Sequence, residues 1–351
     1  MGNRTEPRYV RIDMTTRIGF LSFGHWQAVP GSQVRTAKDA LQQTIQLAVA
    51  AEEVGAHGAF VRVHHFARQL ASPFPLLAAM GAKTSTIELG TAVIDMRYEN
   101  PLYMAEDAAA ADLISDGRLQ LGISRGSPET ALDGSRSFGY APAEGETDAD
   151  MARHHTELFR AAIAGAGVAE ANPQMTGVRG ALAIEPRSPG LEDRIWWGAG
   201  TRATAVWTAE QGMNLMSSTL LTEDTGVPFD ELQAEQLAMY RAAWKEAGHG
   251  REPRVSVSRS IIPLIDDETR HYFGLRAQAD AQDQVGFLDG GMARFGRSYI
   301  GEPDELAAEL AQDAAVRDAD TLLVTVPNQL GVDLNARILE SIVKDVLPAL
   351  G

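Results

Sequence analysis

The run Trp196-Trp197-Gly198-Ala199-Gly200-Thr201-Arg202-Ala203-Thr204 joins two bulky aromatics to three small residues and two hydroxyls. Its aromatic end reads as a buried strand, and a helix is predicted over 201–211. A strand that passes straight into a helix leaves the first helical N–H groups without acceptors. The positive end of the helix dipole then points at the junction. Phosphate is the ligand such a junction suits. Gly198 and Gly200 let the backbone approach it, with Ala199 between them, and Thr201 and Thr204 add hydroxyl donors. The plainer reading is a small-residue turn that only closes the chain.

Other reactive residues fall where predicted strands end. The second strand runs into Val63-His64-His65-Phe66. Neighbours on a strand face opposite ways, so the two histidines are not expected to share a metal. No His-Glu-x-x-His pattern is present, and no metal site is predicted. His65 can equally serve as a hydrogen-bonding cap on the wall. The fourth strand ends in Ser124-Arg125-Gly126-Ser127, which sets a fixed cation at a strand terminus. That arrangement suits a phosphate or a flavin-type ring edge, and a surface ion pair equally well. Asp95, at the end of the third strand, has Arg62 as a candidate partner. Of Trp196 and Trp197, alternation sends one inward and the other toward the helices.

These residues need elements to hold them, and strand-like and helix-like segments alternate along the 351 residues. Strands are predicted over 17–23, 59–64, 87–94, 119–124, 195–198, 213–217, 254–265 and 321–326. The segment 36–54 is an amphipathic helix with Leu41, Ile45, Ala48 and Val49 on one face. Further helices are expected over 73–83, from Pro101, over 149–163 and over 229–247. Eight buried-type strands, each followed by a helix, are what an α/β (β/α)8 TIM barrel requires. A doubly wound open sheet is the alternative. No composition break divides the chain, so 17–351 reads as one barrel domain behind a flexible arm, 1–16. The stretches 126–148, 219–229 and 286–299 read as irregular loops over the barrel mouth. The segment 165–193 shows little periodicity.

Composition narrows the partners. Acidic residues outnumber basic ones 47 to 31, for a net charge of −16. That balance argues against nucleic acid and anionic membrane surfaces as partners. The absence of cysteine excludes disulfides, thiolate catalysis, iron–sulfur clusters and cysteine zinc sites. No apolar run is long enough to span a bilayer, and no apolar signal core opens the chain. A cytoplasmic protein is expected.

Several blocks taken in order make the chain resemble the bacterial-luciferase-like flavin-dependent monooxygenases. They are 51–55 leading to His64-His65-Phe66, 84–101, 112–126, 197–212, and Gly301-Glu302-Pro303-Asp304-Glu305-Leu306. The resemblance implies a (β/α)8 barrel with FMN or a relative at its C-terminal face. It sets the catalytic histidine, near the flavin's reactive edge, at His64, with His65 beside it. The phosphate-meeting arginine falls on Arg125, flanked by Ser124 and Gly126, and the phosphate loop on Gly200, Thr201 and Thr204. A strained, sometimes cis, peptide beneath the ring would fall at Ala92-Val93. Val63 stands where the family usually has glutamate, and Ser124 where it often has cysteine, so luciferase chemistry and its aldehyde substrate do not carry over. The implied reaction is monooxygenation of a small organic substrate by O2 and reduced FMN, delivered by a separate flavin reductase. Deazaflavin-dependent hydride transfer and non-catalytic flavin binding are the rivals. A homodimer through the second and third helices is also implied.

Overall fold

All eight predicted barrel strands form, and each pairs in parallel with the next. The computed structural model describes residues 16–126, 130–223, 226–279, 282–288 and 291–348. The expected arm lies outside those residues except for Thr16. The strands are β1 (Arg17–Ser22), β2 (Gly58–Val61), β3 (Glu88–Asp95), β4 (Leu119–Ser124), β5 (Ile195–Ala199), β6 (Asn214–Ser217), β7 (Val255–Pro263) and β8 (Thr321–Thr325). Their order is β7-β8-β1-β2-β3-β4-β5-β6, and Val255 and Ser256 of β7 pair with Leu215 and Met216 of β6. That last pairing closes the ring. The chain is a (β/α)8 barrel, and the open sheet is excluded.

Local chemistry sets the helices around it. They are α1 (Ala37–Glu53), α2 (Pro73–Gly81), α3 (Pro101–Ile114), α4 (Asp148–Ile163), α5 (Arg202–Glu210), α6 (Phe229–Ala247), α7 (Pro303–Leu310) and α8 (Val332–Ser341). Thr36 and Asp39 cap α1 reciprocally, and Thr147 and Asp150 do the same for α4. Asn100 accepts from the N–H groups of Leu102 and Tyr103 just ahead of Pro101, which needs no acceptor.

Side chains alternate across each strand. Leu21, Phe60, Trp196, Met216 and Leu323 fill the barrel interior, while Ile18, Phe20, Ala59, Val61 and Trp197 join the layer under the helices. The interior is so crowded that a Cβ on Gly122 would lie 2.6 Å from the Met216 sulfur. At the N-terminal end Arg254 grips Glu88 with bonds of 2.9 and 3.1 Å, and Trp196 donates to Gln120 at 2.8 Å. That end is plugged, which leaves the C-terminal mouth open for chemistry.

Much of the 112–126 block is structural. Asp112 takes Arg194 through two 2.8 Å bonds, accepts the Leu119 N–H at 3.0 Å and the Ser188 hydroxyl at 2.6 Å. Glu52 has a comparable task, receiving the N–H groups of Ser85, Thr86 and Ile87 where the chain enters β3. Burial works against its charge, but those N–H groups outweigh it and hold the carboxyl down at about 2. Its stabilisation is therefore complete above the ordinary carboxylate range and disappears as pH falls through about 2. Glu52→Ala is expected to lower the unfolding free energy by about 1–2 kcal/mol at pH 7. The deficit should shrink on acidification, as followed by urea denaturation at several pH values.

Three expectations are corrected. The second strand stops at Val61 rather than continuing to His64, so the two histidines lie in the following loop. The 286–299 stretch is not irregular: Gln284–Leu288 and Gly291–Phe295 form an antiparallel hairpin that also pairs with Leu220–Leu221. The aperiodic 165–193 segment contains the hairpin Gly167–Glu170 with Ala181–Ala183, whose first strand is solvent-exposed throughout. Neither face of it is buried, so no alternation marks it.

Candidate functional site

A cleft at the C-terminal mouth encloses about 1570 Å3, open space at its rim included. Its floor is apolar, built from Leu21 of β1, Ala92 and Val93 of β3, Met216 of β6 and Leu323 of β8. The Ala92–Val93 peptide is cis. Gly198 keeps that floor level: a Cβ there would stand 3.0 Å from a Val93 methyl. Its small size serves packing against Val93, whereas the sequence suggested close approach of a ligand. Gly200 has the open space, since a Cβ placed on it would meet nothing nearer than 3.8 Å.

At one end of the cleft, β5 passes through Gly200 into α5. The carbonyls of this turn are all tied to protein. Ala199 C=O accepts from Ser218 N–H at 3.1 Å, Gly200 C=O from Thr222 N–H at 3.1 Å, and Thr201 C=O from Ala205 N–H at 3.1 Å. Carbonyl and N–H point oppositely across a trans peptide, so fastening the carbonyls turns the following N–H groups the other way. Among the described residues, no acceptor takes the Gly200 or Thr201 N–H. Thr201 Oγ1 caps Thr204 N–H at 3.1 Å and lies 2.9 Å from Thr204 Oγ1. Arg202 N–H is taken by Glu223 at 3.2 Å, and the Arg202 guanidinium balances that carboxylate at the same distance.

Besides Arg62, two cations line the same cleft. Arg125 follows β4 and is exposed, with Ser124 Oγ accepting the Gly126 N–H at 2.8 Å to shape the loop around it. Gly126 is required there, because a Cβ would come within 1.9 Å of Asp95 and its φ is +82°. Arg153 of α4 is the second cation, laid over the Trp207 ring at 4.9 Å. Trp207 in turn meets Trp197 edge-on at 4.9 Å. Among the described residues neither arginine forms a salt bridge with a carboxylate. Sequence reasoning missed Arg153, which is one of two arginines on an amphipathic helix.

The histidines stand apart from this wall. Neither His64 nor His65 lines the cleft, but Arg62 does. Arg62 Nε donates to His64 Nε2 at 2.7 Å, and the guanidinium lies 5.1 Å over the Phe23 ring. His25 stacks on the same Phe23 ring, with centres 5.7 Å apart. Burial first, then the nearby His64 and Arg62, push the His25 pKa down. His65 is buried against Tyr98, with ring centres 4.2 Å apart, and Phe138 closes the cluster edge-on at 5.1 Å. Asp95 is held by Arg97, with the shortest contact 2.6 Å, and supports Gly126 from below. Among the described residues, no group of three or more metal-ligating side chains occurs. Ala199 is buried behind the turn, and Ser127 lies outside the described residues.

A closed barrel with a plugged N-terminal end and a polar, cation-lined C-terminal mouth is the architecture of the (β/α)8 enzymes. The chain belongs to the luciferase-like monooxygenase family, whose sequence profile matches residues 16–322. It is similar to the oxygenase component of the flavin-dependent trigonelline monooxygenase of Acinetobacter baylyi, with 34% identity over 109 residues, 30% of each protein. Curated relatives of this kind are thus matched over about a third of their length. Solved structures agree over nearly the whole chain. Monooxygenase RslO1 from Streptomyces bottropensis has a TM-score of 0.70 at 22% identity, covering 96% of this chain and 100% of its own. The oxygenating constituent of 3,6-diketocamphane monooxygenase from Pseudomonas putida, in complex with FMN, gives 0.67 at 16% identity, covering 96% and 99%. The coenzyme F420 dependent tetrahydromethanopterin reductase from Methanopyrus kandleri gives 0.65 at 15% identity, with the same coverage.

Proposed function

We propose that this protein is the oxygenase component of a flavin-dependent monooxygenase, taking reduced FMN from a separate reductase and using O2 on a small organic substrate. The observation that carries the reading is the donor set at the β5–α5 end of the cleft. It consists of the Gly200 and Thr201 N–H groups, the Thr201 and Thr204 hydroxyls, and the Arg125 and Arg153 guanidiniums. A phosphate monoester carries close to two charges at neutral pH and three acceptor oxygens. Two guanidiniums and an N–H nest match that ligand. The deazaflavin alternative would bring an anionic tail that favours a basic rim, which a net charge of −16 does not encourage. The reductase is supported by the trigonelline relative, which is named as an oxygenase component.

When bound, FMN would supply the activation of oxygen, and the rest falls to the chain. The turn and the two arginines hold the phosphate end. Leu21, Ala92, Val93, Met216 and Leu323 give a flat apolar bed that orients a planar ring and excludes water beneath it. Arg62 offers a cation above the bed, and His64 fixes it through the 2.7 Å bond. Because a guanidinium cannot pass a proton on, His64 would act here as a positioning residue that holds Arg62 rather than as an acid or base at the ring. His64→Ala is expected to leave FMN affinity within about twofold and to cut turnover roughly 10- to 100-fold. A storage protein would have no turnover to lose.

The reading also includes a homodimer through α2 and α3; Tyr103 near the start of α3 is 71% exposed, and Leu113 and Ile114 at its far end are exposed as well. A cytoplasmic site of action belongs to it too. Among the described residues no helix is long and apolar enough to cross a membrane. The decisive experiment is a flavin titration followed by oxygen uptake with chemically reduced FMN. FMN should bind at least about tenfold more tightly than riboflavin, which lacks the phosphate. A protein that binds no FMN would overturn the proposal.

A further inference from the structure

A chain of buried polar side chains runs from the outer layer of the barrel to the back of the β5–α5 turn. It starts at Asp313, which takes Arg259 of β7 through bonds of 2.7 and 3.0 Å. Arg259 Nη1 donates to Gln233 Oε1 at 2.7 Å. Gln233 Nε2 donates to Ser217 Oγ at 2.8 Å and to Ser218 C=O at 2.9 Å. Ser217 Oγ donates to Gln236 Oε1, and Gln236 Nε2 donates to Thr201 C=O at 3.0 Å and Ala199 C=O at 3.3 Å. Gln233 and Gln236 are 0% and 1% exposed. Leucine at either place would bury more cheaply, so two fully buried carboxamides on one helix face call for a polar task.

The direction of this chain is fixed from one end. Arginine has only donors, so it claims the Gln233 oxygen and turns the Gln233 NH2 toward Ser217. Ser217, now accepting, must spend its own proton on the Gln236 oxygen. That turns the Gln236 NH2 onto the two carbonyls of the turn. Reversal at any link would set two donors or two acceptors face to face in a buried site.

We propose that Gln236 is a positioning residue for the anion turn, with Gln233 and Arg259 setting the orientation of its amide. As a second donor on the Ala199 carbonyl, beside Ser218 N–H, it reinforces the direction of the Gly200 N–H into the cleft, and as a second donor on the Thr201 carbonyl, beside Ala205 N–H, it anchors the start of α5. This rests on the reading that a phosphate sits at the turn. Gln236 does not itself line the cleft; the lining residues it bonds are Ser217 and Thr201, so its effect is expected at the phosphate end rather than on the apolar floor.

The test compares wild type, Gln236→Leu and Gln236→Met, first with FMN and riboflavin. FMN affinity should fall about tenfold in both variants while riboflavin affinity holds, so that the ratio between the two flavins collapses. Equal losses for both flavins, or no loss for FMN, would overturn the proposal. A second measurement works without any flavin: inorganic phosphate is titrated while the Gly200 and Thr201 amide resonances are followed. Shifts in wild type that are weakened in the variants support the relay even where FMN fails to bind, which would sink only the flavin reading. Equal shifts in wild type and variants, or none in wild type, sink the relay itself.

Discussion

Arg125→Ala and Arg153→Ala are each expected to weaken FMN binding by about 10- to 100-fold, and together by more than either alone but less than the product of the two. A hydrogen bond to a charged group contributes about 1.5–3 kcal/mol, and each 1.4 kcal/mol is tenfold in affinity. Riboflavin, without the phosphate, should bind both variants as it binds wild type. The two losses should fall short of additive, because both arginines address one phosphate. Arg153→Lys should recover little. Arg153 lies over the Trp207 ring at 4.9 Å, and a planar guanidinium can keep such a contact while donating to a phosphate. Lysine would keep the charge and lose the stack. Isothermal titration at two ionic strengths is the measurement. A variant pair that loses FMN and riboflavin equally would show that these arginines shape the cleft rather than grip a phosphate. Weaker salt dependence in each single variant, and its near loss in the double variant, is the second expected sign, since only the double variant leaves neutral donors at the phosphate.

The barrel itself is legible because its strands are buried on both faces and its helices begin with strong caps. Leu119–Ser124 and Phe229–Ala247 coincide with the predicted 119–124 and 229–247, and Thr36 and Asn100 stand where the sequence predicts helix starts. The anion turn is legible for a related reason: small residues between a buried strand and a helix leave few conformations open. Alternation alone predicts that one of Trp196 and Trp197 faces inward; the structure places Trp196 inside the barrel and Trp197 under the helices. What the sequence hides depends on contacts between distant segments. His64 reads as the end of a strand because Val61 to His64 keeps the right residue types. The strand ends early, however, when β1 runs out of partners at Ser22, and His64 N–H turns back to Leu70 C=O at 2.8 Å. Arg62, which the fold makes a wall residue, is suggested by sequence only as a partner for Asp95. Arg153 has no local signature. Gln233 and Gln236 do have one: they interrupt the apolar face formed by Phe229, Leu232, Leu237, Tyr240 and Trp244. Polar residues at those positions of a helix are a readable sign of a buried network.

Arg259→Met is expected to be among the most damaging single substitutions for stability, lowering the unfolding free energy by about 3–5 kcal/mol. The side chains of Arg259 and Asp313 are 2% and 0% exposed, and the pair is completed by Gln233, by Ser258 C=O and by the Tyr299 hydroxyl at 2.6 Å from Asp313. Burial drives the Asp313 pKa up, but Arg259 and the hydrogen bonds outweigh it and hold it below the ordinary carboxylate range. The same neighbourhood pushes the Tyr299 phenol up to about 12. Without Arg259, only the Tyr299 hydroxyl and the Val316 N–H are left to oppose burial at Asp313. Its pKa then rises above the unfolded value, so protonation relieves part of the penalty. The gap between wild type and Arg259→Met should therefore be widest at neutral pH and narrow as pH falls through the carboxylate range. In wild type the sign is opposite, since its lowered Asp313 contributes most above that range. Arg259→Met combined with Asp313→Leu should recover much of the lost stability, because removing both charges strands neither. The combined variant would still lose the donor that orients Gln233. It is expected to fold well by urea denaturation and yet keep the weakened FMN-to-riboflavin ratio of the Gln236 variants, which separates what the ion pair does for stability from what it does for the turn.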